Sequence, residues 1–271
     1  MTDAGNILRR IPDTPRASLD ALEWFEELES TSSWLKLQTA PPRGRFRAVI
    51  ADHQTAGRGR NEKIWLSPPS SGVCLSVSYT FGDIPRNLPA LTLAIGISIA
   101  AALQTIGARD VALKWPNDLI AADGKLGGIL TEVQSAGDGR RTAIVGVGIN
   151  VDLPDSMRYA ARTSWASGLS DLAGCMDDVP DRADLAAAII AALIDSVCRF
   201  EREGFAAFRS GWRAYDWLQG KTVTVEQAGG DITGVADGID EDGALLVKTD
   251  AGIERAMSGS VRIADHKEVC A

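Results

Sequence analysis

The chain has 271 residues, 45% of them hydrophobic and 24% charged, and a formal net charge of −8 at pH 7. This length is sufficient for one large domain and one small domain, and for a full hydrophobic core. The acidic balance argues against non-specific binding to nucleic acid. The cysteines, none in C-x-x-C spacing, and the histidines are Cys74, Cys175, Cys198, Cys270, His53 and His266. They argue against a His/Cys metal site and favour free thiols in the cytoplasm, and the N-terminus shows no signal peptide.

In chain order, residues 1–16 carry Pro12, Pro15 and scattered charges without a hydrophobic period, which predicts a mobile N-terminal tail. Leu22–Leu28 favours a strand, with a helix as the alternative. Ser30–Ser33 is a cluster of N-cap residues and predicts a helix over Trp34–Ala40.

The uncharged segment from Asn87 to Ala108 is the one stretch to test as a membrane span. Its Thr, Ser and Gln residues dilute the ~20 predominantly apolar residues that a spanning helix needs. We therefore predict a buried core helix over Pro89–Ile106 and no association with a membrane.

The remaining pattern predicts an α+β fold in two domains. Apolar and β-branched runs predict strands at Arg47–Asp52, Gly72–Tyr79, Val111–Leu113, Leu119–Ala122, Gly127–Gln134 and Thr142–Val147, and helices follow at Asp184–Phe200 and Phe205–Trp217. From about Gly220, short strands separated by turn signals predict a small β-barrel, at Lys221–Val225, Asp231–Asp240, Ala244–Thr249 and Ile253–Met257. We predict a mixed-sheet catalytic domain over residues 17–219 and a β-barrel over residues 220–271.

The loop Gly57-Arg58-Gly59-Arg60 follows a predicted strand and is the strongest functional signal. Glycine allows close approach of the backbone to a ligand. Arginine offers a planar fork of donors for carboxylate and phosphate oxygens. Taken alone, the loop is either an anion site or a solvated basic loop.

Three further blocks accompany the loop: Lys114-Trp115-Pro116-Asn117-Asp118, Lys125-Leu126-Gly127-Gly128-Ile129-Leu130 and Gly146-Val147-Gly148-Ile149-Asn150. The last does not complete G-x-G-x-x-G, and no G-x-x-x-x-G-K-[ST] occurs, which excludes Rossmann and P-loop nucleotide sites. In this order and spacing the four blocks resemble the biotin protein ligases. The resemblance implies their α+β fold with an SH3-like C-terminal barrel. From the short stretch before Leu19 we expect the class that lacks an N-terminal helix-turn-helix, and so no DNA partner.

The resemblance also implies a site. For biotin it implies Ser30, Thr31, Ser32, Gln54, Arg58, Gly59, Arg60, Lys125, Gly127 and Gly128, with Lys125 and Arg60 in catalytic roles. For ATP it implies Arg58, Lys63, Trp65, Lys114, Asn117 and Asn150, with Trp65 stacking on the base and Asn150 at the adenine edge. Asp118 is the candidate carboxylate for Mg²⁺, with Glu132 as an outside candidate.

The implied reaction joins biotin to AMP with MgATP, releases pyrophosphate, and then transfers biotin to a lysine of a biotin carboxyl carrier domain. No serine or cysteine stands in a nucleophile motif, so no covalent enzyme intermediate is expected. The alternatives are a lipoate ligase of the same fold and a non-catalytic module that binds biotinyl-adenylate or a carrier protein. The sequence leaves open whether the protein is a monomer or a homodimer.

The chain departs from the family pattern at three places. Ser32 stands where the family has asparagine, and Asn61-Glu62-Lys63 replaces an Arg-Gly-Arg run, which predicts weaker ATP binding. Around Ser258-Gly259-Ser260 no site is predicted. The loop Gly57–Lys63 is expected to be disordered until ligand binds.

Overall fold

The computed structural model describes residues 3–136, 139–157 and 168–264. His266 and Cys270 lie outside these residues. Within them the free cysteines are Cys74, Cys175 and Cys198.

The catalytic part of the chain is organised on a mixed seven-stranded sheet. Its strands are β1 (Leu19–Leu28), β2 (Phe46–Gln54), β3 (Gly72–Thr80), β4 (Ala112–Lys114), β5 (Asp118–Ala121), β6 (Gly124–Ser135) and β7 (Arg141–Asn150). The spatial order is β1-β2-β3-β7-β6-β5-β4. The β1–β2 pair is parallel and the others are antiparallel, which confirms the predicted mixed sheet and the strand over 22–28.

Helices cover both faces of this sheet unequally. They are α1 (Ala4–Arg10), α2 (Asp13–Ala17), α3 (Thr31–Leu37), α4 (Leu91–Thr105), α5 (Leu172–Cys175), α6 (Arg182–Glu203) and α7 (Ala206–Tyr215). Alternate residues of a strand point to opposite faces. On β2, Ala48 and Ile50 belong to the large core with α4 and α6, whereas Val49 packs in a small cluster with Leu35 of α3. The face under α3 is therefore covered by one short helix.

The uncharged segment is the core helix that its composition predicts. Leu88–Thr105 is apolar and long enough to cross a membrane by length and composition, with a mean hydropathy of 1.7. However, Leu91, Ile95, Ile99 and Leu103 are fully buried in the protein core. A short 3₁₀ turn at Leu88–Ala90 precedes α4.

Two local predictions were wrong. The expected mobile tail contains α1 and α2, and its residues Ile7 and Ile11 are buried. Arg10 pairs with Asp181 at 2.5 Å and with Asp184 at 2.8 Å. Helix α3 begins at Thr31 rather than Trp34, because the Ser30 hydroxyl caps it by accepting a hydrogen bond from the Ser33 N–H at 3.3 Å.

The C-terminal region forms a five-stranded antiparallel sheet. Its strands are β8 (Thr222–Glu226), β9 (Ile232–Ile239), β10 (Leu245–Thr249), β11 (Gly252–Ala256) and β12 (Ser260–Ile263), in the order β11-β10-β9-β8-β12. β12 was not predicted. The Trp115 indole donates a hydrogen bond to the Gly243 carbonyl at 3.0 Å, which ties this sheet to the catalytic part. The boundary at residue 220 stays a prediction.

Candidate active site

One cavity of about 1010 Å³ brings together most of the residues singled out in the sequence. The predicted residues that line it are Ser30, Thr31, Ser32, Gln54, Arg58, Gly59, Arg60, Lys63, Trp65, Lys114, Asn117, Asp118, Lys125 and Gly128. They come from the loop after β2, the start of α3, the β4–β5 turn and β6. Motifs that are up to about a hundred residues apart in sequence therefore face one space.

Four side chains at and behind the cavity wall form a network of hydroxyl and amide groups. The Gln54 Oε1 accepts hydrogen bonds from the Thr31 N–H at 2.8 Å and from its hydroxyl at 3.1 Å. The Ser76 hydroxyl lies 2.7 Å from the Thr31 Oγ1 and 2.9 Å from the Ser32 Oγ. All four residues are buried. The network fixes these hydroxyls in place before a polar ligand arrives, so Ser32 is held although it replaces an asparagine.

Ser76 was missed by the sequence analysis. It lies on β3 among apolar residues, in a strand that reads Gly-Val-Cys-Leu-Ser-Val-Ser-Tyr-Thr, and it is fully buried. A buried hydroxyl in a central strand needs a hydrogen-bonding partner. That requirement was the available signal.

Glycines on β6 and β7 form a floor without side chains. A Cβ atom at Gly148 would lie 2.4 to 2.8 Å from three atoms of the Trp65 indole, and a Cβ at Gly146 would lie 2.5 Å from the Ser32 Oγ. At Gly128 the nearest atoms, on Lys125 and Trp65, would be 3.5 to 3.6 Å away. The indole of Trp65 therefore lies directly against the backbone of β7.

Another part of the cavity wall is cationic. The Lys125 Nζ lies 2.7 Å from the Asp118 Oδ1, and both side chains are less than one fifth exposed. Burial lowers the pKa of Lys114; the nearby Asp118 carboxylate opposes this shift, whereas other lysines, including Lys125 and Lys63, reinforce it. Several lysines close enough to affect one another's charge make a site that favours a polyanion.

Arg60 connects the loop Gly57–Lys63, called the arginine loop below, with the C-terminal part of the chain. Its Nη1 donates to the Asn117 Oδ1 at 3.3 Å and to the Gly259 carbonyl at 3.4 Å. The Asn117 amide in turn donates to the Ile129 carbonyl at 3.0 Å. Burial lowers the pKa of Arg60, opposed by Asp118, although a guanidinium stays charged at any physiological pH.

The arginine loop is a hydrogen-bonded hairpin in the structure. The Gly59 N–H donates to the Lys63 carbonyl at 2.7 Å, and the Trp65 N–H donates to the Gly57 carbonyl at 2.9 Å. At its tip, Asn61 and Glu62 adopt φ values of 52° and 59°, the left-handed region that favours glycine. The disorder expected before ligand binds stays a prediction.

The proposed metal carboxylate has a partner already. Asp118 pairs with Lys125, and among the described residues no group of three His, Cys, Asp or Glu side chains could hold a metal. Magnesium is commonly bound by one or two carboxylates together with substrate phosphates, so Asp118 still fits such a role. Glu132 does not: its Oε1 accepts hydrogen bonds from Lys36 and Arg58, and it does not line the cavity.

Two predicted ligand residues lie outside the cavity. The Asn150 amide donates to the Lys125 carbonyl at 3.1 Å and to the Ser170 carbonyl at 3.0 Å, so its N–H groups hold backbone rather than adenine. A Cβ at Gly127 would lie 2.6 Å from the Gly148 carbonyl, which makes this glycine necessary for packing β6 on β7. Neither residue lines the cavity, and their assignment to a ligand stays a prediction.

The C-terminal sheet supplies a wall that the sequence analysis did not predict. The lining residues of this wall are Glu226, Gly259, Ser260, Val261, Arg262 and Ile263. Asp123, before β6, and Trp217, before β8, also line the cavity. No site was assigned around residues 258–260, yet Gly259 and Ser260 line the cavity. β12 is a four-residue strand, and only its pairing with β8 places it at the cavity.

Comparisons with known proteins agree with this geometry. The model of the biotin/lipoate A/B protein ligase family matches residues 24–150, and that of the biotin protein ligase C terminal domain matches residues 219–263. The chain is 34% identical to the biotin–[acetyl-CoA-carboxylase] ligase of Mycobacterium tuberculosis, over 73% of this chain and 72% of that protein.

Two further similarities extend the comparison. The bifunctional ligase/repressor BirA of Escherichia coli is 34% identical over 80% of this chain, which spans 66% of that longer protein. The structure of a biotin protein ligase from Aquifex aeolicus in complex with biotin and ATP superposes with a TM-score of 0.75 at 29% identity, covering 90% of this chain and 100% of that one. The chain therefore belongs to the biotin protein ligase family.

Proposed function

We propose that the protein joins biotin to AMP with MgATP and then transfers biotin to one lysine of a biotin carboxyl carrier domain in the cytoplasm. One observation carries the proposal: the same cavity is lined by a preorganised hydroxyl and amide network and by a set of cations. A neutral polar head group fits the network. A carboxylate and a triphosphate fit the cations.

The first half-reaction brings two anions together. The carboxylate oxygen of biotin attacks the α-phosphorus of ATP, a P–O bond forms, and pyrophosphate leaves with the electron pair of the bond that breaks. Lys125 and Arg60 line the cavity and supply positive charge where negative charge accumulates. Preplaced cations of this kind lower the barrier because they need no reorganisation in the transition state.

Asp118 is the residue that would hold magnesium, which when bound would neutralise charge on the leaving pyrophosphate. The Asp118 carboxylate lies 2.7 Å from the Lys125 ammonium, among the cations of the cavity. The same pairing holds the Lys125 ammonium in place.

The second half-reaction needs a dry site and an entering amine. The mixed anhydride reacts with water, so it must be enclosed until the acceptor arrives. The arginine loop and the strand Ser260–Ile263 form opposing parts of the cavity wall, joined through the hydrogen bond from Arg60 to the Gly259 carbonyl. The acceptor lysine then attacks the acyl carbon, and AMP leaves.

Biotin-dependent exchange of labelled pyrophosphate into ATP tests the proposal directly. The wild type is compared with Lys125→Ala and with Lys248→Ala, a matched change at an exposed lysine of β10 that pairs with Asp237. We expect exchange in the wild type and in Lys248→Ala, and a loss of about a hundredfold or more in Lys125→Ala, measured at a temperature at which that variant is still folded. Exchange that is independent of biotin would refute the proposal.

The same assay separates the two alternatives. Exchange with lipoate but not with biotin would identify a lipoate ligase. Absence of exchange with both acids, together with a ligand-induced rise in melting temperature, would identify a binding module. The match of residues 219–263 to the biotin protein ligase C-terminal domain supports biotin as the acid.

A further inference from the structure

Glu132, on β6, connects three elements behind the cavity wall. Its Oε1 accepts a hydrogen bond from the Lys36 ammonium of α3 at 2.6 Å and from the Arg58 guanidinium of the arginine loop at 3.1 Å. The Arg58 Nη1 also donates to the Ser33 hydroxyl at 3.4 Å. Arg58 lines the cavity, whereas Glu132 and Lys36 are not among its lining residues.

The side chains of Glu132 and Arg58 differ in burial. The Glu132 side chain is 24% exposed, and its Oε2 is buried with no hydrogen-bond partner among the described residues. The Arg58 side chain is 44% exposed. A largely buried carboxylate is stable here because two cations contact its other oxygen. A long, half-exposed arginine would otherwise sample many rotamers at considerable entropic cost to any ligand that orders it.

We propose that Glu132 is a positioning residue for the adenylation site, which holds the Arg58 guanidinium at the mouth of the cavity for the carboxylate of the acid substrate. An arginine has five N–H donors in a planar fork. Because Glu132 and Ser33 engage one edge of the group, the remaining donors are available to an anion in the cavity. Lys36 contacts the same carboxylate oxygen and so fixes Glu132 itself. This inference rests on the proposed function.

A purely structural reading of the same contacts is that Glu132 only ties α3 to β6. That reading predicts a change in stability that is independent of Arg58. The positioning role predicts that Glu132 matters to catalysis only while Arg58 is present. A double-mutant cycle distinguishes the two, because residues that act as one unit give non-additive effects.

The experiment measures KM for biotin and kcat of pyrophosphate exchange in wild type, Glu132→Gln, Arg58→Ala and the double variant. Glutamine keeps the size of Glu132 and removes its charge. We expect Glu132→Gln to raise KM for biotin about threefold to tenfold with kcat within about twofold of wild type. In the Arg58→Ala background the same change should alter KM by less than about 1.5-fold. Glu203→Gln, at an exposed carboxylate that pairs with Arg199, is the matched control.

Either of two kinetic results would overturn the positioning role: an unchanged KM in Glu132→Gln, or an equal increase with and without Arg58. Hydrogen exchange of the backbone amides from Gly57 to Trp65 in the ligand-free protein gives a readout that needs no activity. These amides should exchange faster in Glu132→Gln than in wild type. If wild type lacked biotin-dependent exchange, the proposed function would fail alone, and unchanged amide exchange would still refute the anchoring of the loop.

Discussion

Two alanine substitutions on β7 should affect different substrates, although they are chemically identical and two residues apart, because each added methyl group meets a different side chain of the site. Gly146→Ala places a methyl group 2.5 Å from the Ser32 hydroxyl oxygen, and Gly148→Ala places one 2.4 Å from the Trp65 indole. Ordinary contact begins near 3.4 Å. Each neighbour must therefore move by about 1 Å. Neither glycine has a positive φ, so the added methyl acts through its contacts rather than through backbone strain.

The expected magnitudes follow from the contacts that each shift removes. Stacking of a base on an aromatic side chain contributes about 1–3 kcal/mol. If Trp65 stacks on adenine, Gly148→Ala should raise KM for ATP about fivefold to 150-fold. A hydrogen bond from a neutral hydroxyl contributes about 0.5–1.5 kcal/mol. Displacement of Ser32 by Gly146→Ala should therefore raise KM for biotin about twofold to tenfold.

The assay is pyrophosphate exchange with each substrate varied in turn, beside thermal melting of both variants. Gly229→Ala is the control, because a Cβ there meets nothing within 4 Å and its φ is not positive. An increase in KM for ATP with Gly148→Ala and in KM for biotin with Gly146→Ala supports the assignment of Trp65 to ATP and of Ser32 to biotin. An increase in the same KM for both, or an increase in KM for biotin alone with Gly148→Ala, would refute the stacking role of Trp65.

Three other predictions concern stability and pH. Ile7→Ala should lower the free energy of unfolding by about 2–4 kcal/mol in urea denaturation, whereas Leu37→Ala, at a residue 85% exposed, should change it by less than about 0.5 kcal/mol. Because burial lowers the pKa of Lys114, KM for ATP should rise as pH passes that lowered value, and Lys114→Arg should move this limb to higher pH in a pH profile of exchange. Burial, then the Glu201 carboxylate, raises the pKa of Tyr79, so the folded state retains the neutral phenol. The resulting contribution to the free energy of unfolding is complete below the unfolded-state pKa of about 10 and is lost as the pH rises above that value. Tyr79→Phe should therefore flatten the fall in melting temperature above about pH 10.

Structural features that depend on local pattern and residue type could be predicted from the sequence. Uninterrupted apolar runs predicted the strands of the large sheet. The arginine loop and the Lys-Trp-Pro-Asn-Asp block were placed at the cavity because their chemistry is unusual for a turn. By contrast, α1 is short, and Ile7 within it and Ile11 directly after it are buried because α6 lies beside them, with Asp181 and Asp184 pairing with Arg10. Short helices depend on such tertiary contacts, which a local pattern does not reveal.

The predicted ligand residue Asn150 lies outside the cavity for a related reason. It is the last residue of β7, and the family resemblance implied a place for its amide at the adenine edge. Its N–H groups instead satisfy the carbonyls of Lys125 and Ser170, and a buried carbonyl requires such a donor. This demand comes from the segment 168–170, whose bridge to Lys125 is a long-range contact. Nothing within the motif itself distinguishes the two roles.

The glycines of the central strands make sense only together with the tryptophan that covers them. Gly128 of β6 and Gly148 of β7 are directly paired across the sheet. Glycine in a strand interior costs about 0.5–1 kcal/mol relative to alanine, because the unfolded chain is more flexible. The pair leaves a bare area on the sheet where the Trp65 indole lies against backbone, with the Lys125 ammonium 5.8 Å from its ring. The two glycines therefore lower the stability of the central strands, but they allow the flat Trp65 indole to lie beside Lys125, the cation that is proposed to contact the α-phosphate.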